Sequence, residues 1–331
     1  MVGTSPAGCT CCCGRPNVAA DHLADGLGRG RRSRRRHPRV WESGPCTASG
    51  IVPAAQAAVT LAPRGPQSHS LMPLITDVRR LRQAARACMR RCSAPGVDRV
   101  SWADFRRGLT DNLNLLAEEL HDGRWQPGPL REVELAAYTG KRFTVAVPTV
   151  RDRVVQRALR DAVMPILEAT VFEPFVSGWA RPGRNRLTAV RQAATHLGAG
   201  RVWAADIDVE RVSAGATMEQ MVDLLARWVH DGTFLLRMRT ALRALPDPLV
   251  AGTVLAPTLL NLRLAPVDHA LVDLPVVRFA DNYVAFADNP DTAQRAYDRV
   301  ADALAAVGMR ASPTKSRVHR PNPEDLFLIA G

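Results

Sequence analysis

Two aspartates stand where apolar strands end in polar surroundings, and carboxylates at such positions suit metal chemistry. Asp206 follows the apolar run at 202–205, and Asp281 lies between β-rich runs at 275–280 and 283–287. If the two strands pair, both carboxylates reach one edge of a sheet. Nucleotidyl transfer needs such a pair, because two Mg²⁺ ions about 3.5–4 Å apart must be held by oxygen ligands.

Spacing alone favours a simpler interpretation of the same residues. Asp and Asn both tolerate the backbone conformations of tight turns, so Asp281-Asn282 is typical of a hairpin turn. Asp206 then merely ends a strand. Residue type and spacing therefore leave a metal site and an ordinary turn as alternatives.

The elements that carry these residues predict an α+β fold. Apolar residues recur at helical spacing in several segments and alternate as in strands in others. We expect helical segments at 77–92, 102–122, 152–171, 218–245, 257–271 and 292–307. We expect hairpins at 132–147, with a turn at 138–140, and at 275–287, and single strands at 201–208 and 309–311. Their order indicates an antiparallel sheet with helices on one face.

Basic residues exceed acidic ones, with 44 Lys and Arg against 32 Asp and Glu and a formal charge of +12. Such an excess favours a polyanionic partner, nucleic acid before membrane. Residues 1–70 are rich in Gly, Pro, Ala, Ser and Arg and have no hydrophobic period, so we predict a disordered basic N-terminal segment. Its arginine cluster at 31–36 is most simply a solvated tail.

Several classes of protein are excluded by the sequence pattern. No run of about 18 uncharged apolar residues is present, and no secretory signal pattern begins the chain. We therefore expect a cytoplasmic protein with no membrane partner. The cysteines at 9–13, Cys88 and Cys92 lack the spacing of a zinc site, so reduced thiols are expected.

Short motifs between residues 95 and 328 carry more information than spacing. The most specific is the segment 147–156, which reads Val-Pro-Thr-Val-Arg-Asp-Arg-Val-Val-Gln. The others are Pro95-Gly96-Val97-Asp98, Gly140-Lys141-Arg142, Phe172-Glu173-Pro174, Arg181-Pro182-Gly183-Arg184, Ala205-Asp206-Ile207, Leu255-Ala256-Pro257, Arg278-Phe279-Ala280-Asp281-Asn282, Ser312-Pro313-Thr314-Lys315-Ser316 and Phe327-Leu328. In this order they resemble bacterial reverse transcriptases of the group II intron type, and the resemblance favours the metal site over the ordinary turn.

The resemblance implies a right-hand polymerase with fingers at 71–198 and a palm at 199–331. By position, Asp206 and Asp281 would bind two Mg²⁺ ions, and Asn282 stands in place of the family's third catalytic acid. Lys315 would act near the leaving pyrophosphate, as a general acid or a charge partner. The implied partners are an RNA template, a nucleic-acid primer and dNTPs.

The resemblance also assigns basic residues to the incoming nucleotide. Lys141 and Arg142 would reach its triphosphate, where arginine offers bidentate geometry. Arg211 stands near the position of an aromatic residue that packs beneath the sugar in the family, which leaves the preference for deoxynucleotides open. For Arg151 and Arg153, a functional contact and a plain charge on the helix surface are alternatives.

Four features depart from the family pattern. They are Asn282, Arg211, Val250-Ala251-Gly252 in place of Pro-Gln-Gly, and an end at Gly331 with no thumb following, so that a partner could supply one. Asn282 keeps an oxygen ligand, and Asp208 on the strand face of Asp206 could compensate for the lost carboxylate.

These departures leave two functions open. One is an RNA-directed DNA polymerase, and the other is a catalytically inactive RNA-binding or maturase-like scaffold with the same fold. A cyclase or primase that shares the palm topology would leave the segment 141–156 unexplained.

Overall fold

The computed structural model describes residues 70–91, 93–136, 142–178 and 181–322 of the 331-residue chain. The predictions for residues 1–69, Cys92, the turn at 138–140, Lys141 and Phe327-Leu328 lie outside these residues. None of the helices within the described ranges is long and apolar enough to cross a membrane.

Helices precede and separate the strands of a mixed α+β structure. The helices are α1 (Met72–Thr76), α2 (Val78–Met89), α3 (Trp102–Arg107), α4 (Leu109–Asp122), α5 (Val150–Thr170), α6 (Arg186–Gly198), α7 (Met218–Ala226), α8 (Gly232–Arg243), α9 (Ala256–Ala270) and α10 (Pro290–Ala305). The strands are β1 (Arg131–Ala136), β2 (Arg142–Val147), β3 (Val176–Ser177), β4 (Trp203–Asp208), β5 (Val276–Phe279), β6 (Asn282–Ala287) and β7 (Arg317–His319).

Five of the strands form one sheet in the order β3-β5-β6-β4-β7, and β1 and β2 form a separate hairpin. The neighbours in the sheet are antiparallel except for β3 and β5, which are parallel. The sheet therefore places β4, which carries Asp206, directly beside the hairpin strand β6. The predicted α+β class is confirmed.

Both faces of this sheet are packed against helices. Ala205 and Ile207 of β4 point to one face and join a core with residues of α9 and α10. Ala204 points to the other face and packs in a core with Ala189 and Ala193 of α6. The prediction of helices on one face alone is wrong, because α6 buries its small residues on the opposite face.

A larger hydrophobic core joins helices α1, α2, α3, α4, α5, α7, α8 and α9. Leu113, Leu159 and Leu242 are among its residues, each at most 1 % exposed. This core crosses the predicted boundary between residues 198 and 199. The division into fingers and palm at that point stays a prediction.

One carboxylate caps two helices in this core. Asp231 precedes α8 and accepts a hydrogen bond from the backbone N–H of Phe234 at 2.9 Å. Its other oxygen accepts from the N–H groups of Leu71 and Met72, at 2.8 and 3.0 Å, where α1 begins. The first N–H groups of a helix have no partner within the helix, so Asp231 stabilises both termini at once.

Most predicted elements are confirmed to within a few residues, with two informative differences. The predicted helix at 102–122 is divided into α3 and α4 at Gly108, the residue there with the lowest helix propensity. The predicted strand at 309–311 is reduced to a single bridge between Val209 and Ala311. The strand that pairs with β4 is instead β7.

The β1–β2 hairpin packs tightly against the loop before α9. The N–H of Ala146 donates to the carbonyl oxygen of Ala251 at 2.8 Å. Gly252 has a φ of +95°, and a Cβ there would overlap the Ala146 carbonyl oxygen and the Val145 side chain. Only glycine fits this position, so the hairpin and the loop form one closely packed unit.

Candidate functional site

The β5–β6 hairpin turns at Ala280 and Asp281. Phe279 pairs with Asn282, which begins β6. Ala280 has a φ of 56°, a region that residues with a Cβ rarely adopt, and its carbonyl oxygen accepts a hydrogen bond from Arg278 Nη1 at 2.5 Å. The turn predicted at Asp281-Asn282 is therefore wrong by one residue, because Asn282 already belongs to the strand.

A buried ion pair stabilises this turn. Arg278 and Asp268 are both 0 % exposed. Arg278 donates to the two oxygens of Asp268 at 2.8 and 2.6 Å and to Asn261 Oδ1 at 3.0 Å. The hydroxyl of Tyr283 donates to Asp268 Oδ1 at 2.9 Å. Buried charges are tolerated when they are paired and hydrogen-bonded, so this network fixes the guanidinium that holds the Ala280 carbonyl.

Asp268 and Tyr283 belong to none of the motifs in the sequence, so their part in the site is not predicted from it. The signal available was Arg278 itself, a charged residue inside the apolar run at 276–279. A buried guanidinium requires a buried counter-charge. The sequence does not show which acidic residue supplies it.

Asp281 lies beside two other charged residues, Asp208 and Lys315. Burial raises the pKa of the Asp281 carboxyl and Asp208 raises it further, whereas Lys315 and Arg278 lower it. Lys315 Nζ lies 3.3 Å from Asp208 Oδ2. Asp208, Asp281 and Lys315 therefore form one electrostatic group at the hairpin tip, which we call the tip cluster.

The position of Lys315 is fixed by hydrogen bonds to the end of β4. The N–H of Ser312 donates to the Asp208 carbonyl oxygen at 2.8 Å. The N–H of Asp208 donates to Ser316 Oγ at 3.2 Å. These bonds hold the segment 312–316 against β4 and bring Lys315 to the two aspartates.

Asp206 lies further from the turn than Asp208 on the same strand. It is 0 % exposed, and the register pairs it with Arg317 of β7. Its Oδ2 lies 3.8 Å from His319 Nε2. The structure thus brings Asp208 to Asp281 and sets Asp206 beside β7. The role of Asp206 as a metal ligand stays a prediction.

Asn282 pairs with Asp208 across β4 and β6, which puts both side chains on one face. Its Oδ1 is buried and has no hydrogen-bond partner within the described part of the chain. An amide oxygen beside carboxylates provides the hard oxygen donors that Mg²⁺ prefers.

Among the described residues, no group of three or more His, Cys, Asp and Glu side chains is placed to hold a metal ion. Mg²⁺ usually takes one or two carboxylates from protein and completes its shell with water and substrate phosphates. The donors at the hairpin tip therefore fit a site that substrate completes rather than a closed protein cage.

A cavity of about 360 Å³ opens beside Asp281. Its lining includes Val212, Gly252 and Leu260. The loop in place of the family's Pro-Gln-Gly turn thus borders the space next to the hairpin tip. This cavity is large enough for part of a nucleotide.

The predicted nucleotide-binding residues lie on separate elements. Arg142 begins β2, is exposed, and donates from Nη1 to Glu134 Oε2 at 3.1 Å. Arg211 is exposed in the turn after β4, with a φ of 47°. Neither is among the charged groups of the tip cluster, and their contacts with a nucleotide stay predictions.

Arg153 is a buried residue of α5. It is 5 % exposed and donates to Pro148 O at 3.0 Å, to Ser93 Oγ at 2.6 Å and to Ala94 O at 2.7 Å. The alternative of a helix-surface charge is wrong for Arg153, because its guanidinium holds the loop at 93–96. Its predicted contact with a nucleotide stays a prediction. Arg151 forms an ion pair with Glu119.

Comparisons with known proteins identify the family of this chain. Residues 136–326, more than half of the chain, match the family described as reverse transcriptase (RNA-dependent DNA polymerase). Protein YkfC of Escherichia coli (strain K12) is 29 % identical over 218 residues, which cover 61 % of this chain and 56 % of that protein. The putative COX1/OXI3 intron 1 protein of Saccharomyces cerevisiae is 24 % identical over 175 residues, 49 % of this chain and 20 % of that protein.

The chain therefore spans little more than half of one relative and a fifth of the other. The family match nevertheless includes β4, the β5–β6 hairpin and the tip cluster. This chain belongs to the reverse transcriptase family.

Proposed function

We propose that this chain is an RNA-directed DNA polymerase that extends a primer on an RNA template with dNTPs. The observation that carries the proposal is the tip cluster: Asp281 lies in the hairpin turn beside Asp208 and Lys315, in a chain of the reverse transcriptase family. In this proposal residues 71–198 form the fingers and residues 199–331 the palm, which carries β4, β5, β6 and β7 of the sheet.

Each residue of the site has a distinct part in the proposed reaction. Asp281 and Asp206 would hold Mg²⁺, with Asp208 and the Asn282 amide oxygen close by. The two ions, when bound, activate the attacking 3′-hydroxyl and stabilise the leaving oxygens. Lys315 lies next to Asp208, where it can neutralise or protonate the leaving pyrophosphate.

The substrate is held by the remaining basic residues in this proposal. Arg142 and Lys141 would bind the triphosphate through charge-assisted hydrogen bonds. Arg142 is exposed at the end of β2, where its only ion pair within the described residues is with Glu134 on the surface. Such exposed pairs contribute little free energy, about 0–1 kcal/mol, so a triphosphate can replace Glu134 at small cost.

A catalytically inactive RNA-binding or maturase-like scaffold is the second candidate. Asn282 favours it, because a carboxylate is missing where the family has its third acid. Both functions predict RNA affinity that falls with salt, since phosphate contacts release counterions. The polymerase alone predicts Mg²⁺-dependent incorporation of dNTPs.

A primer-extension assay with the full chain tests the proposal. We expect the protein to incorporate labelled dNTPs on a primed RNA template with Mg²⁺, and Asp281→Ala to abolish incorporation while RNA binding is retained. Asp302→Ala, which removes an exposed carboxylate from α10, is the matched control and should extend normally. If the protein extends no better than Asp281→Ala but binds RNA, the scaffold replaces the polymerase.

A further inference from the structure

Two adjoining cavities share three arginines as lining residues. One has a volume of about 390 Å³ and the other of about 510 Å³, and both are lined by Arg91, Arg157 and Arg160. Arg91 follows α2, and the other two lie on α5. We call the combined space the arginine cavity.

One carboxylate faces these guanidinium groups. Asp161 accepts from Arg157 Nε at 2.8 and 2.7 Å and from Arg160 Nη1 at 3.1 Å. Arg91 is exposed and forms no ion pair with any residue that the structure describes. Among the residues that the structure describes here, three guanidinium groups therefore face the single carboxylate of Asp161.

The second acidic residue of the lining does not change this balance. Glu168 borders the larger cavity, but its oxygens accept hydrogen bonds from Arg181 at 2.7, 3.0 and 3.1 Å. Arg181 is itself buried, so this pair is a closed structural unit. Glu168 is committed to Arg181 and leaves the arginine cavity with an excess of positive charge.

The N-terminal end of α9 adds to the positive potential. Thr253, Val254 and Pro257 line the smaller cavity. The N-terminus of a helix carries a partial positive charge from the aligned peptide dipoles. Burial lowers the pKa of the Arg160 guanidinium, the nearby Arg157 and Arg91 lower it further, and Asp161 raises it. A bound anion would relieve this repulsion.

We propose that the arginine cavity binds phosphate groups of a single-stranded RNA segment. Arginine presents a planar fork that matches phosphate oxygens, and the volumes exceed what one phosphate needs. The choice of RNA rests on the proposed function, whereas the choice of a phosphate group rests on the charges alone.

The location gives this site a defined relation to the hairpin tip. Thr253 and Pro257 line both the arginine cavity and the cavity beside Asp281. An RNA strand held by the arginines thus passes the N-terminal end of α9 on its way to the tip cluster. The arginine cavity is an anchoring site for the strand, separate from the reacting atoms.

Equilibrium binding of a labelled single-stranded RNA, measured by fluorescence anisotropy over a series of salt concentrations, tests the proposal. The variant is Arg91→Gln/Arg157→Gln/Arg160→Gln. The control is Arg191→Gln/Arg243→Gln/Arg295→Gln, which removes three exposed arginines from other helices. Each phosphate contact on a single strand contributes about 0.7 to the slope of log K against log salt. The slope of the triple variant should therefore be smaller by about 2, and the slope of the control should change far less.

A single substitution separates lost binding from lost folding. Arg91→Gln removes an exposed side chain without breaking an ion pair, so we expect an unchanged Tm and a slope reduced by about 0.7. Inorganic pyrophosphate serves as a second probe of the same site. If the triple variant loses pyrophosphate binding and keeps the full RNA affinity and slope, the RNA proposal is overturned.

Equal losses in the triple variant and its control would overturn the proposal as well. The measurements contain EDTA and no dNTP, so they do not depend on catalysis. If the protein does not extend a primer but its RNA binding needs the three arginines, the proposed polymerase activity is contradicted. The proposed RNA site in the arginine cavity is then still supported.

Discussion

Arg278 and Asp268 connect β5 to α9 through two hydrogen bonds of 2.8 and 2.6 Å at a place that no solvent reaches. The same guanidinium donates to the carbonyl oxygen of Ala280, one residue before Asp281. The position of α9 and the conformation of the turn are therefore coupled. The helix α9 begins between the arginine cavity and the cavity beside Asp281. This ion pair therefore links the hairpin tip to the helix that borders both cavities.

Replacing Arg278 with Met should destabilise the fold strongly. The substitution leaves the Asp268 carboxylate buried without its counter-charge, which costs about 3–5 kcal/mol. Urea denaturation would give the change in the free energy of unfolding. The double variant Arg278→Met/Asp268→Leu should recover part of the loss, because neither charge is then left alone.

An exposed ion pair provides the comparison for this prediction. Arg299 and Asp273 approach to 2.6 Å, with 45 % and 63 % of their side chains exposed. Arg299→Met should cost less than about 1 kcal/mol, since water replaces the lost partner. Similar costs for Arg278→Met and Arg299→Met would mean that the buried network does not hold the turn.

Replacing Asp281 with Asn should raise stability in a pH-dependent way. Burial raises the pKa of Asp281 in the folded protein, so the folded state binds the proton more tightly than the unfolded state. Stability is therefore lost as pH rises from the ordinary aspartate pKa through the folded value. We expect Asp281→Asn to have a higher Tm than the unsubstituted protein at alkaline pH in EDTA, and the same Tm below about pH 4.

Asp302→Asn is the control for this pH series, because its carboxylate is exposed on α10. Its Tm should follow that of the unsubstituted protein at every pH. A difference between Asp281→Asn and the unsubstituted protein that grew toward acid pH would have the wrong sign and would rule out a raised pKa for the half-buried Asp281 carboxyl.

The sequence predicts the large features of this site and misses its fine geometry. Apolar runs around Asp206 and Asp281 predict a strand and a hairpin, because burial on a sheet leaves that pattern in the sequence. The turn residue Ala280 could not be predicted, since alanine rarely adopts a positive φ and does so here with a hydrogen bond to Arg278. Long-range partners such as Asp268 leave no local pattern at all.

The same limit applies to the choice between Asp206 and Asp208. Both lie on one face of β4, and their spacing along the sequence does not show which is nearer the turn after pairing. The register decides it, by placing Asp208 opposite Asn282. Register depends on the contacts of the whole sheet, including those of β7, whereas the sequence pattern predicts a strand at 309–311 instead.

Gly252→Ala should destabilise the contact between the β1–β2 hairpin and the loop before α9. The left-handed backbone of a residue with a Cβ costs about 1–3 kcal/mol. The overlap with Ala146 adds about 1–3 kcal/mol more. Gly183→Ala is the control, because Gly183 has a φ of +69° with no atom within 4 Å of an added Cβ. Thermal denaturation should show a clearly lower Tm for Gly252→Ala, and equal values would contradict the close packing of the hairpin.

Asn282→Asp should make the stability of the protein depend more strongly on Mg²⁺. The new carboxylate lies opposite Asp208 in the register, and like charges at paired positions repel. In EDTA we therefore expect a lower Tm than that of the unsubstituted protein. A bound cation relieves the repulsion, so added Mg²⁺ should raise the Tm of Asn282→Asp by more than that of the unsubstituted protein. Each tenfold increase in Mg²⁺ affinity adds about 1.4 kcal/mol to the free energy of unfolding.

Asn289→Asp adds the same charge at the N-cap of α10, away from Asp208, and conserves the capping oxygen that accepts from Thr292. Its Tm should respond to Mg²⁺ as the unsubstituted protein does. A larger response of Asn282→Asp alone would support a cation site formed with Asp208 and Asp281. Equal responses of the two variants would show that the oxygens at the hairpin tip do not bind Mg²⁺ without substrate, and the metal would then have to enter with the triphosphate.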